Sequence, residues 1–201
     1  MRKVYEARSD AELAEGYDAW AAEYEGDVSS FGYKIPAVVT GMAGRYVDRD
    51  GRLLDAGAGT GVLGEILHLL GYTDLTGIDL SEGMLEKARE KGVYGTLRRM
   101  TLGERLAFPD GAFDATLSSG VFTTGHAPPE SLREIARITR SGGHVIFSVR
   151  ETAYLEGGFE EEQKSLEREG KWRMVEATGA FLSLPLGEPE VSGRVFVYEV
   201  H

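Results

Sequence analysis

Apolar and polar positions follow two rhythms along this chain, and the changes between them predict its elements. Leu13, Tyr17, Trp20, Ala21 and Tyr24 recur at helical spacing behind Ser9-x-x-Glu12, a capping-box pattern, so the first helix carries an aromatic stripe. Glu25 to Lys34 is rich in Gly and Ser and reads as a mobile linker, after which Pro36 starts a helix to about Val47 that buries Val38, Val39 and Met42. Short apolar runs then alternate with helical patterns. Strands are predicted over Arg52–Ala56, Leu75–Asp79, Gly95–Met100, Phe113–Ser118 and His144–Val149. The helices between them bury Val62, Leu63, Ile66, Leu67 and Leu70, then Met84, Leu85 and Ala88, then Leu132, Ile135 and Ala136. Gly71 and Gly92 stop the first two, Ser81 caps the second, and Pro129 opens the third, which Ser141-Gly142-Gly143 closes. Glu160 to Glu169 reads as a charged helix with a solvated face. Trp172–Phe181 and Arg194–Val200 alternate at a strand period and are joined by Pro- and Gly-containing turns.

Strands alternating with helices imply a parallel sheet whose chemistry lies beyond the carboxyl ends of its strands. The first such end is Asp55-Ala56-Gly57-Ala58-Gly59-Thr60-Gly61. Glycine tolerates positive φ and lets a ligand lie against the main chain, while the next helix directs its free N–H groups there. Gly57 and Gly59 match half of the dinucleotide fingerprint G-x-G-x-x-G, but its third position is Val62 and the glycine stands at 61. A carboxylate two residues ahead of the turn would oppose a pyrophosphate and suit a cationic head. The second strand ends on Asp79, at the distance where such a sheet sets an acid against a ribose diol. A ligand with a ribose and a cationic head describes S-adenosylmethionine.

Composition narrows the acceptor more than the fold. The 201 residues suffice for one domain with a substantial core and leave no room for a separate substrate domain. The formal net charge of -11 opposes nucleic-acid binding, which needs a basic surface. No apolar run approaches the ~20 residues of a membrane span, and the start lacks the apolar core of a signal peptide, so a cytoplasmic protein without a membrane partner is expected. Without cysteine there is no disulfide, thiolate metal site or cysteine nucleophile, and no metal site is expected.

Asp55–Gly61 and Gly77–Ser81, followed by Phe108-Pro109-Asp110-Gly111-Ala112-Phe113-Asp114 and Ser141-Gly142-Gly143, resemble the class I S-adenosylmethionine-dependent methyltransferases. The likeness runs from about Tyr17 to Arg150. Tyr17–Tyr24 and Met100–Glu104 are most similar to the Williams-Beuren-region methyltransferase-like proteins. The resemblance implies an α/β, Rossmann-like, seven-stranded, mostly parallel sheet with helices on both faces and a C-terminal antiparallel hairpin. It implies one domain over 1–201, with 1–47 as a helical lid. Cofactor contacts are implied for Asp55, Gly57, Ala58, Gly59, Gly61, Asp79, Leu80, Ser81, Met84, Leu102, Gly103 and Ser118. Trp20, Tyr24 and Tyr33 would lie across the mouth. Leu102 occupies the place where many members carry an acid for the adenine amino group, so backbone near Leu102 and Gly103, or Glu104, would have to replace it. Of the four histidines, His126 is the candidate base, because its loop, Ser119–His126, faces the expected site; a loop-tip residue without a catalytic task is the alternative. A small-molecule methyltransferase is the leading expectation. A protein or peptide methyltransferase and a cofactor-binding module without turnover are the alternatives, while Asp55 and Val62 disfavour a nicotinamide oxidoreductase.

Overall fold

The computed structural model describes residue 4 and residues 7–201. From residue 10 the first elements are the helices α1 (Asp10–Trp20), α2 (Tyr24–Ser30) and α3 (Ile35–Tyr46). The alternating part follows as β1 (Arg52–Ala56), α4 (Val62–Leu69), β2 (Asp74–Asp79), α5 (Glu82–Lys91), β3 (Thr96–Arg99), β4 (Phe113–Phe122), α6 (Ser131–Ile138) and β5 (Thr139–Arg150). The chain ends with α7 (Glu151–Glu156), α8 (Phe159–Arg168), β6 (Trp172–Ala177), β7 (Phe181–Leu184) and β8 (Glu188–Val200).

The sheet order is β3-β2-β1-β4-β5-β8-β6. The first five strands are parallel, and β8 runs antiparallel between β5 and β6. This matches the expected mostly parallel sheet with its antiparallel C-terminal pair. An eighth strand, β7, pairs with the start of β8 beyond the seven-strand path. Successive side chains along each strand face opposite sides, so Leu54, Phe147 and Tyr198 join one core layer, whereas Leu53, Leu117 and Val197 join the other.

Several boundaries differ from the sequence expectation. Glu25–Lys34 is no linker: α2 occupies most of it, fixed by the Trp20 indole N–H donating to Asp27 at 2.7 Å and by Lys91 pairing with Glu25. β4 continues past Ser118 to Phe122 by means of a register shift, with Gly120 at φ +76°. Gly142 and Gly143 lie inside β5, not in a loop, because a second shift absorbs them between Thr139 and His144. The capping box is present in altered form, with Ser9 Oγ accepting from the Glu12 N–H and the Glu12 carboxylate from the Arg8 N–H.

The strand order reverses at β1, which has β2 on one side and β4 on the other. A crevice therefore opens beyond its carboxyl end, where the glycine turn sits. α1 and α2 form a small separate cluster over that end, with Leu13, Trp20 and Val28 buried and Tyr17, Tyr24, Tyr33 and Leu80 packed against them. No helix among the described residues is long and apolar enough to cross a membrane.

Candidate functional site

The glycine turn is shaped by the strand beside it. The Gly57 and Ala58 N–H groups both donate to the Ile78 carbonyl, at 2.8 and 2.9 Å, which bends the chain sharply across the end of β2. Gly57 has φ +82°, and a Cβ there would come within 2.1 Å of Val121 Cγ2 on β4. At Gly59, φ +54°, a Cβ would meet nothing within 4 Å. The turn thus closes against protein on one side and opens onto a cleft on the other.

Asp79 faces the same cleft. One of its oxygens accepts from the Gly59 N–H at 2.8 Å and the other from the Ser81 N–H at 2.9 Å. Burial raises its pKa, while these N–H groups pull it down. Ser81, which is fully buried, caps α5 by accepting from the Met84 N–H at 3.0 Å. Its own hydroxyl donates to Asp18 on α1, which also receives the Gly83 N–H at 2.8 Å, so the lid helix is tied to the N-terminus of α5.

Asp55 behaves differently from the acid at the end of β2. It is 2% exposed and lies beneath the turn, outside the lining of the cleft. The Tyr94 hydroxyl donates to Oδ2 at 2.6 Å, and Oδ1 is buried without a partner among the described residues. Burial pushes this carboxyl up to about 7 against the pull of the Tyr94 hydroxyl. Tyr94 reaches it through a slot with glycines on three elements: a Cβ at Gly64 would sit 2.1 Å from its oxygen, and at Gly61 or Gly77 3.1 Å from its ring. The carboxylate ahead of the turn, expected to meet a cationic head, is a buried acid paired through one oxygen with the Tyr94 phenol.

The cleft is lined by Gly57, Gly59, Asp79, Leu80, Met84, Leu102 and His126 from the sequence expectation, together with Tyr24 of the lid. Ala58 and Tyr33 line an adjoining recess with Thr60 and Ser119. The other candidates have structural partners. Gly61 is the N-cap residue of α4 and faces Tyr94, the Ser118 hydroxyl donates to the Ala56 carbonyl at 2.7 Å, and Gly103 backs onto Pro128. Trp20 is buried in the lid and lines a second pocket instead. Buried Thr60 Oγ1 and Ser119 Oγ have no partner among the described residues, leaving polar capacity beside the turn.

His126 stands where the two pockets meet, since it lines both, as do Tyr17, Tyr24 and Gly120. Its Nδ1 lies 3.3 Å from the Thr124 carbonyl, which can only accept, so Nδ1 carries the proton. Nε2 is then the free base and accepts from the Tyr17 hydroxyl at 2.8 Å. Burial lowers the His126 pKa, and nearby Arg150 adds to the effect. Sequence reasoning missed Tyr17 and Tyr94 as partners of the site. Gly64 inside a helix and Gly77 inside a strand were readable hints of a close approach, the one that Tyr94 makes.

Comparison with known proteins agrees with this architecture. The family described as Methyltransferase domain matches residues 54–147. Methyltransferase-like protein 27 of Homo sapiens is 35% identical over 138 residues, covering 67% of this chain and 56% of that one. A malonyl-(acyl-carrier protein) O-methyltransferase of Erwinia pyrifoliae is 34% identical over 137 residues, covering 68% and 49%. The chain thus spans about half the length of the curated relatives it matches. In fold it is similar to a TehB-like SAM-dependent methyltransferase of Corynebacterium glutamicum, with a TM-score of 0.66 at 20% identity over 93% of this chain and 100% of that one.

Proposed function

The chain belongs to the class I S-adenosylmethionine-dependent methyltransferases, and from that premise we propose that it methylates a small molecule held between the lid helices and the carboxyl ends of β4 and β5. The observation that carries this reading is the junction itself: Tyr17, Tyr24, Gly120 and His126 border both the cleft at the glycine turn and the aromatic pocket beside it. A donor in one and an acceptor in the other would meet there.

The residues of the cleft fit the donor. Asp79 would take the ribose hydroxyls, Met84, Leu80 and Leu102 would flank the adenine, and the open backbone at Gly59 leaves room for the amino-acid end. Glu104 is exposed and outside the cleft lining, so adenine recognition falls to backbone near Leu102 and to Thr101, which does line it. Asp55 supports the turn from beneath. When bound, S-adenosylmethionine supplies an electrophilic methyl group on a sulfonium whose C–S bonding pair leaves with sulfur as a neutral thioether. The proton of an acceptor hydroxyl or amine would pass to the Tyr17 hydroxyl oxygen as that hydroxyl gives its own proton to His126 Nε2, whose single lone pair it already occupies. The lid would exclude water and fix the approach line. The pocket roofed by Trp20 and Tyr24 favours a small acceptor over a polypeptide side chain, and the net charge of -11 disfavours nucleic acid.

Calorimetry with S-adenosylmethionine, S-adenosylhomocysteine and NAD tests the premise. Binding of the first two and not of NAD is expected. Tight NAD binding with no response to either adenosyl compound would overturn it.

A further inference from the structure

The second pocket departs in charge from the chain that builds it. The sequence has 33 acidic and 22 basic residues, and the donor cleft takes Asp10 and Asp79 into its wall. Among the described residues, no Asp or Glu lines the second pocket. Its one formal charge is Arg150, at the end of β5, with Ser148, Ser183, Ser192, Thr123 and His126 as the polar remainder. The body of the pocket is aromatic and aliphatic, with Tyr17, Trp20, Tyr24, Tyr33 and Phe122 prominent in its wall.

Two features give that charge a direction. Thr123 Oγ1 is buried and has no hydrogen-bond partner among the described residues, although its residue lines the pocket. A buried hydroxyl left this way is destabilising unless a ligand or water completes it. On its outer side Arg150 also borders a shallow groove with Glu188 and Glu190. The acids that this composition supplies therefore stand outside the pocket. A guanidinium has five N–H donors in a planar fork, enough to meet an outer carboxylate and an inner anion together.

We propose that the second pocket selects an acceptor with a ring-sized apolar body and one anionic group, the anion held by Arg150 and the body packed against the aromatic wall. This rests on the methyl-transfer reading above and adds the substrate class. The anion anchors one end of the acceptor and leaves the other at the Tyr17–His126 junction. Neutral and cationic analogues of the same shape are rejected, because neither brings a negative charge to the guanidinium in a low-dielectric pocket.

Matched pairs that differ only in charge test it: 4-hydroxybenzoate against 4-hydroxybenzamide, and indole-3-acetate against indole-3-acetamide. Binding is measured by calorimetry with S-adenosylhomocysteine already bound, on wild type, Arg150→Gln and Arg150→Lys. The acid of at least one pair is expected to bind tenfold or more tightly than its amide in wild type. That ratio should collapse toward one in Arg150→Gln and be partly restored in Arg150→Lys, while all three proteins bind S-adenosylhomocysteine alike. Equal affinity for acid and amide, no detectable acid binding at millimolar concentration, or a preference that survives Arg150→Gln would each overturn it. Failure of wild type to bind S-adenosylhomocysteine would instead strike the methyl-transfer reading on which it stands.

Discussion

The donor cleft and the second pocket share a wall and are built by opposite means. The cleft takes half of its wall from one stretch of chain, Gly57 to Leu102, and its key contacts are backbone N–H groups, a carboxylate at a strand end and glycines with positive φ. The pocket gathers side chains from Val4 to Gly193 and relies on aromatic rings and one arginine. Backbone geometry of the first kind has few solutions, because a turn that must both bend and expose N–H groups needs glycine at set positions. A wall of side chains has many. The same fold can therefore keep one ligand and exchange the other.

If that contrast is right, substitutions on the donor side should disturb folding or donor affinity, and those on the acceptor side should disturb turnover. The largest effect is expected at Asp55. Between about pH 4 and 7 the folded protein holds its proton and the unfolded chain does not, so its contribution turns unfavourable as pH rises through that window and is fully lost above it. A folded value of about 7 against an ordinary 3.8 corresponds to roughly 4 kcal/mol. Asp55→Asn should therefore gain on wild type by that order between pH 4 and pH 8 in urea denaturation. A difference that does not change with pH would show that the carboxyl is not buried.

Next in size is Asp79→Asn. Losing a charged partner of two hydroxyls should weaken S-adenosylhomocysteine about a hundredfold, or ~3 kcal/mol. Calorimetry gives the affinity, and the unfolding midpoint, followed alongside, reports what the Gly59 and Ser81 N–H groups lose. Unchanged affinity would move the ribose elsewhere and dissolve the contrast. Smallest is Tyr17→Phe, which should lower kcat about tenfold with donor affinity nearly unaltered. Because the Tyr17 hydroxyl favours neutral His126, its loss should also shift the acidic limb of the rate profile to higher pH. A profile that keeps its limb while kcat falls would make Tyr17 a packing residue only.

What could be read from the amino acids follows the same division. β1, the glycine turn, β2 with Asp79 and the Ser81 cap are local, with spacing that sets their geometry, and each is found where expected. Ser81, Ser118 and Gly61 were read as ligand contacts but spend their groups on the fold, a distinction that needs the neighbouring elements. Gly142-Gly143 looked like a helix stop, yet a glycine pair also suits a bulge, and only pairing with β4 decides between them. Arg150 was not legible at all. A basic residue at a strand end acquires meaning only when β7, β8 and the lid close around it.

Tyr94 and Gly64, the helix glycine on which it packs, form a lock with one key. A side chain at 64 would have to displace the ring, and a small residue at 94 would release that position, whereas 61 would stay strained at φ +87° and a Cβ at 77 would still meet Leu97 at 2.6 Å. Among relatives positions 64 and 94 should consequently change together or hold together. A chain that has abandoned the tyrosine should be free to put alanine in the helix at 64, should keep glycine at 77 while Leu97 faces it, and should need another way to shelter the acid beneath the turn.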